Sequence, residues 1–135
     1  LAAPASDSLA GAHVLLVEDN EINMEIAEFY LVSAGATVDK AWNGREAVDA
    51  FAASKVGSYT IVLMDLMMPE GDGLDAPRPI RQMDRPDAKT TPIVAMTANA
   101  FDEDREKTRA AGMDAHLTKP LDMRTLYETI ESLAR

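Results

Sequence analysis

Short, unbroken apolar runs separated by segments of helical period constrain this chain more than any other feature. Val14 to Val17, Ile61 to Met64 and Ile93 to Met96 contain only Val, Ile, Leu, Met and Ala. A strand with one wet face alternates apolar and polar residues. An unbroken run suits a strand buried on both faces, as in a parallel sheet covered by helices. Thr37 to Ala41 and Ala115 to Thr118 are weaker runs that complete a set of five. The first intervening helix opens near Asn20, carries Ile22, Ile26 and Phe29 on one face, and stops at Gly35. Asn43-Gly44-Arg45-Glu46 has the spacing of a capping box and opens a second. Asp102 caps a fourth, with Glu103 and Asp104 in its first turn, Lys107 and Arg109 near its end, and Gly112 after it. A fifth starts at Asp122, where Leu121 and Leu126 are spaced for a hydrophobic staple, and runs through Ile130 and Leu133. The third segment, Leu74 to Met83, is irregular because Pro77 and Pro79 remove backbone donors. A short helix starting late, with Pro79 near its N-terminus, and a turn over Asp84 to Asp87 are expected there. Strands alternating with helices predict a doubly wound α/β fold around a five-stranded parallel sheet.

The 135 residues suit one compact domain. Residues 1–11 are small, polar and proline-containing, which predicts a linker or tail, with the folded domain over 12–135. No stretch approaches the roughly 20 apolar residues needed to span a bilayer, and no signal-peptide pattern opens the chain. No membrane contact by this domain is therefore expected. The absence of cysteine excludes a disulfide framework and fits a reducing, cytoplasmic location. A formal charge of −10, from 13 basic and 23 acidic residues, argues against direct nucleic-acid binding, which needs clustered Lys and Arg. The same charge has two readings, a solvated acidic surface or carboxylates gathered around a cation. Residue order decides between them.

The apolar runs end in Glu18-Asp19, in Asp65 and in Thr97, and the last strand runs into Lys119-Pro120. In a parallel sheet the C-terminal strand ends share one edge, and ligands bind there where the strand order reverses. With the order 2-1-3-4-5, strands one and three flank that point and bring Glu18, Asp19 and Asp65 together. At about 5 Å and an effective dielectric of about 20, each ionised pair costs roughly 3 kcal/mol. Such a cluster must protonate, pair with a base or hold a cation. Carboxylate oxygens without His or Cys suit Mg²⁺. Thr97 and Lys119 would then offer a hydroxyl and a positive charge to phosphoryl oxygens. A single strand-end acid is more often a helix cap or surface group. All five residues at the ends of the appropriate strands form a far more specific signal.

Taken together, Val17-Glu18-Asp19-Asn20, Met64-Asp65-Leu66-Met67-Met68-Pro69, Asp72-Gly73, Met96-Thr97-Ala98 and Thr118-Lys119-Pro120 resemble the receiver domains of two-component response regulators. The wording of the segments around Asn20, Ala98 and Asp114 looks most like receivers attached to hybrid sensor histidine kinases. The resemblance covers His13 to about Leu133 and implies a flavodoxin-like (βα)5 fold. It implies that Asp65 is the phosphoacceptor, taking a phosphoryl group from a phosphohistidine on a histidine kinase or histidine phosphotransfer domain. It further implies Asp19 as a direct Mg²⁺ ligand, Glu18 as an acid reaching the metal through water, and the Met67 carbonyl as a backbone ligand, with Mn²⁺ as the alternative ion. Lys119 matches the lysine that contacts the phosphoryl group. Thr97 matches the hydroxyl that moves onto it, and His116 occupies the position of the aromatic switch residue. The face formed by the fourth helix, fifth strand and fifth helix is the implied output surface and the implied route to a homodimer. Such a domain is not a turnover enzyme in isolation, though its parent chain would be a hybrid histidine kinase.

Gly71, Pro77 and Pro79 depart from the family pattern, and Met67 and Asn99 occupy positions that tune acyl-phosphate hydrolysis. Three other readings are weaker. A degenerate receiver acting as a phosphorylation-independent interaction module usually lacks an acid, the acceptor or the Lys, and all are present. An aspartate-nucleophile phosphatase wants a second acid two residues after Asp65, where Met67 stands. A flavin-binding module wants a Ser/Thr/Gly-rich loop after the first strand, where Glu18-Asp19-Asn20-Glu21 would repel a phosphate.

Overall fold

A computed structural model of the chain describes residues 9–65, 77–97, 113–118 and 123–134. The strands are β1 (His13–Val17), β2 (Thr37–Ala41), β3 (Ile61–Asp65), β4 (Ile93–Thr97) and β5 (Ala115–Thr118). They form one parallel sheet in the order β2-β1-β3-β4-β5, as expected. The helices are α1 (Glu21–Ser33), α2 (Gly44–Ala53), a five-residue α3 (Pro77–Arg81) and a C-terminal helix (Met123–Ala134). Both prolines fall in the first turn of α3, where their missing N–H groups cost nothing. The expected turn over Asp84 to Asp87 contains the start of a one-turn 3-10 helix, Pro86–Ala88. The expected fourth helix at Asp102 lies outside the described residues. No helix among the described residues is long and apolar enough to cross a membrane.

Strand residues alternate between two buried layers. Val14, Leu16, Ile61, Leu63, Val94, Met96 and Leu117 pack with Met24, Ala27 and Leu31 of α1 and with Leu126, Tyr127 and Ile130 of the C-terminal helix. Leu15, Val17, Val62, Met64, Ile93 and Ala95 face the opposite way, onto Ala47 and Phe51 of α2, Ile80 of α3, and Tyr59. This two-sided burial is the reason the strands carry no polar alternation. The Tyr127 hydroxyl donates to the Tyr30 carbonyl at 2.6 Å and ties the C-terminal helix to α1.

Two expectations need correction. Ile22, Ile26 and Phe29 do share a face of α1, but that face points to solvent, and the helix buries Met24, Ala27 and Leu31 instead. The buried set includes the small Ala27, which allows the helix axis to approach the sheet. The folded region also begins before residue 12. Leu9 is buried against Val14, Ala34 and their neighbours, and its N–H donates to the Ala34 carbonyl at 2.8 Å.

Helix ends are satisfied largely as the sequence suggests. Asn20 caps α1 through the Asn23 N–H, and Gly35 follows its end with φ +97°. Asn43 accepts from the Glu46 N–H at 2.8 Å. Glu46 reaches one residue beyond its expected capping partner, accepting from the Trp42 N–H at 2.9 Å.

Three polar clusters hold the opposite, N-terminal edge of the sheet. Arg85 donates to the Phe51 carbonyl at 2.7 Å, lies over the Phe51 ring, and pairs with buried Asp87. Asp87 also accepts from the Gly57 N–H at 2.8 Å. Arg81 donates to the Thr91 carbonyl and to Asp114, which in turn accepts from the Ile93 N–H. His13 Nε2 lies 2.9 Å from the Asp39 carboxylate oxygen that also accepts from the Tyr59 hydroxyl. Burial, together with that hydrogen bond, pushes the Tyr59 hydroxyl well above its ordinary pKa.

The hydrogen bond from Arg85 holds the Asp87 carboxyl below the usual carboxylate range, against the opposing effect of burial. Its folded-state pKa is thus lower than its unfolded one, so its stabilisation is complete above about pH 4 and fades as pH falls through the lower value. Asp87→Ala should lower stability by roughly 1–3 kcal/mol at neutral pH, because Arg85 and the Gly57 N–H lose their acceptor. In thermal melts across pH, the gap between wild type and variant should close only on the acid side of about pH 4. A gap that stays constant into strong acid would contradict the role of this pair.

Candidate functional site

The pairing register decides what meets at the C-terminal edge of the sheet. Val17 of β1 lies opposite Met64 of β3, so Glu18 and Asp65, the next residue on each strand, come side by side. Asp65 in turn lies opposite Met96, which places Thr97 one step further along β4, opposite Thr118 of β5. The strand ends that the sequence marked therefore share one edge.

Each acid is positioned by local structure. The Glu18 N–H extends the β1–β2 ladder by donating to the Ala41 carbonyl at 3.0 Å. Its carboxylate accepts from the Asn20 N–H at 3.2 Å, in the turn that starts α1. Asp19 projects from the same turn and is exposed. Glu18 and Asp65 are almost fully enclosed, at 1% and 2% exposure. One carboxylate oxygen from each of Glu18, Asp19 and Asp65 lies within 4.8 Å of the others. Enclosed carboxylates this close repel by roughly 3 kcal/mol per ionised pair at an effective dielectric of about 20. A cation among them removes that penalty.

The donor set fits magnesium. It consists of hard oxygens and includes no His or Cys among the described residues. Octahedral Mg²⁺ binds at about 2.0–2.1 Å and bridges oxygens up to about 4.2 Å apart directly, or wider ones through a retained water. Two enclosed acids and one at the rim suit an ion that keeps part of its hydration shell facing outward.

Of the other expected site residues, Lys119 and Met67 lie outside the described residues. The backbones of Thr97 and His116 are placed, the latter opposite Ala95 in β5, while their side chains lie outside the described part. Sequence reasoning did not identify the Asn20 N–H as the group that orients Glu18. The available signal was Asn20 itself, an N-cap residue placed two positions after an acid.

This arrangement has close relatives. The family model for the response regulator receiver domain matches residues 14–131. Histidine kinase 1 of Arabidopsis thaliana is 34% identical over an alignment that covers 95% of this chain and 13% of that protein. The hybrid signal transduction histidine kinase I of Dictyostelium discoideum is 36% identical, over 88% of this chain and 7% of its own length. The chain thus corresponds to a small part of these curated relatives. Among solved structures, the receiver domain of a Pseudomonas aeruginosa sensor histidine kinase superposes with a TM-score of 0.82 at 36% identity, over 93% of this chain and 98% of that one. That crystal structure has a magnesium ion coordinated in its active-site cleft. The Vibrio cholerae chemotaxis protein CheY4 superposes with a TM-score of 0.83 at 27% identity, over 92% of this chain and 99% of its own. With the sheet order, the acidic edge and these matches in agreement, the chain belongs to the response regulator receiver domains, the phosphoacceptor modules of two-component phosphorelays.

Proposed function

We propose that Asp65 is the phosphoacceptor and that a phosphohistidine on a histidine kinase or histidine phosphotransfer domain is the donor. The observation that carries this reading is the enclosed Asp65 carboxylate, grouped with Glu18 and Asp19 within 4.8 Å at the switch point of the sheet. A carboxylate oxygen of Asp65 attacks phosphorus in line. The new O–P bond forms as the donor's N–P bond breaks, and the electron pair of that bond leaves on the imidazole nitrogen. A Mg²⁺ ion held by Asp19 and Asp65, with Glu18 through water and the Met67 carbonyl as a further ligand, would supply positive charge against the phosphoryl oxygens. Enclosure of Asp65 limits the approach of competing water and strengthens the electrostatics of the site. Lys119 carries a second positive charge for the phosphoryl group, and the Thr97 hydroxyl donates to it once transfer is complete. His116 is the strand residue that responds when Thr97 moves.

Trp42, the single tryptophan of the chain, follows Ala41, whose carbonyl accepts the Glu18 N–H. Its fluorescence should therefore report Mg²⁺ titration. Asp19→Asn should weaken Mg²⁺ at least about tenfold, the size of effect expected when a metal's ligand environment is altered. An unchanged Mg²⁺ affinity in that variant would remove Asp19 from the ligand set.

Incubation with acetyl phosphate and Mg²⁺ should add one phosphoryl group, seen by intact-mass measurement, and Asp65→Asn should abolish it. Labelling that persists in Asp65→Asn, or that needs no divalent cation, would overturn the reading. Lys119→Ala should retain Mg²⁺ binding but lose the conformational response to beryllofluoride, followed by amide chemical shifts. A variant that loses only its Mg²⁺ affinity contradicts the role given to Lys119.

A further inference from the structure

Asn20 divides its polar groups between α1 and the acidic cluster. Its carbonyl accepts from the Met24 N–H at 2.9 Å and its side-chain oxygen accepts from the Asn23 N–H at 3.0 Å, so the helix begins on this residue. Its own N–H points the other way and donates to the Glu18 carboxylate at 3.2 Å. The backbone at Asn20 is extended, with φ −94° and ψ 122°, which lets one residue face both directions. Met24, one turn further on, is buried in the same core layer as Val14, Leu16, Ala27 and Leu31. A path of fixed contacts therefore leads from the core, through the first turn of α1, to the carboxylate of Glu18.

That carboxylate needs holding. It is enclosed beside Asp65 and Asp19, and like charge drives it away from the position where the three acids converge. A backbone N–H donating to an ionised carboxylate makes a charge-assisted bond that opposes this drift, provided the N–H keeps its direction. The direction is set by the Asn20 peptide plane, and that plane is fixed only while the first turn of α1 is capped. The cap is also neutral. An aspartate would cap equally well, but would place a further negative charge beside Glu18, Asp19 and Glu21.

We propose that Asn20 is a positioning residue for the cation site: its side chain caps α1, the cap aims the Asn20 N–H, and the N–H holds Glu18 toward Asp19 and Asp65. This rests on the reading of these acids as a Mg²⁺ site and adds a linkage between that site and the start of α1. Linkage is reciprocal, so a cation that draws the Glu18 carboxylate into place also tightens the cap. Removing an N-cap side chain corresponds to roughly 2- to 30-fold in an equilibrium constant, which sets the scale of the effect.

Titration calorimetry with Mg²⁺ tests this in the wild-type chain, Asn20→Ala, Asn20→Ser, Asn43→Ala, Glu18→Gln and the Asn20→Ala, Glu18→Gln double variant, with thermal melts to confirm folding. Asn20 is exposed, so its replacement leaves the core intact. Asn20→Ala should weaken Mg²⁺ about three- to tenfold, and Asn20→Ser, which restores a capping oxygen, should stay within about twofold of wild type. Asn43 caps α2 in the same manner, but the carboxylate that joins its cap is Glu46, outside the cluster. Asn43→Ala should therefore lower the melting temperature as Asn20→Ala does, while Mg²⁺ affinity stays within about twofold. In the Glu18→Gln background the Asn20→Ala loss should shrink below about twofold, because a residue that acts through Glu18 has nothing further to lose. Saturating Mg²⁺ should slow hydrogen exchange of the wild-type Asn23 amide by about the factor that Asn20→Ala costs in affinity. Unchanged affinity in Asn20→Ala, an equal loss in Asn43→Ala, full additivity with Glu18→Gln, or an Asn23 amide indifferent to Mg²⁺ each overturns the proposal. A Glu18→Gln variant that binds Mg²⁺ as the wild type does, or a wild type that binds none, would instead defeat the reading of the acids as a cation site.

Discussion

The parallel register of β1 against β3 is the constraint on which the rest of this structure depends. Val17 opposite Met64 leaves one residue on each strand, Glu18 and Asp65, to emerge together at the edge where the sheet order reverses. A shift of one residue would separate the acids and exchange the two faces of β1 between the packed layers. The large side chains committed to both layers prevent that shift. Leu16 and Leu63 serve one face while Leu15 and Met64 serve the other. Carboxylates that repel one another are therefore held close by apolar packing that has nothing to do with their chemistry.

The two edges of the sheet are built on opposite electrostatic principles. At the N-terminal edge, opposite charges are paired and the pairs are tied to backbone. Arg85 and Asp87 join the end of α2 to the Gly57 turn, and Arg81 and Asp114 join α3 to the starts of β4 and β5. At the C-terminal edge, like charges are brought together with an exposed Asp19 at the rim. The first arrangement fixes geometry, and the second reserves affinity for a cation and an incoming group. This division suits a domain whose site must respond while its scaffold stays in place.

Much of this was legible in the chain. Strands buried on both faces leave unbroken apolar runs, and the acids at the ends of those runs follow from parallel topology. The orientation of α1 was not legible. That helix carries apolar residues on two sides, and periodicity alone does not say which side is inward. Close approach to the sheet favours the set containing Ala27 over the bulkier Ile22, Ile26 and Phe29. Leu9 was assigned to the tail because a single apolar residue among small polar ones carries no period, yet it caps the core beside Ala34. The anchoring role of Arg85 was equally hidden. Its partners Phe51 and Ser54 are distant in sequence, as is the Gly57 N–H that donates to Asp87, and only the Arg85-Pro86-Asp87 pair was local.

The bond from the Tyr127 hydroxyl to the Tyr30 carbonyl joins the last helix to the first. Leu126, Tyr127 and Ile130 complete the layer that α1 begins. During synthesis, α1, β1 and β3 emerge well before the residues that cover them, and their shared layer stays open until the chain has been made beyond Ile130. One face of the sheet can thus close early, over α2 and α3, while the other waits for the C-terminal helix. A nascent domain of this kind carries its acids before it carries a finished fold.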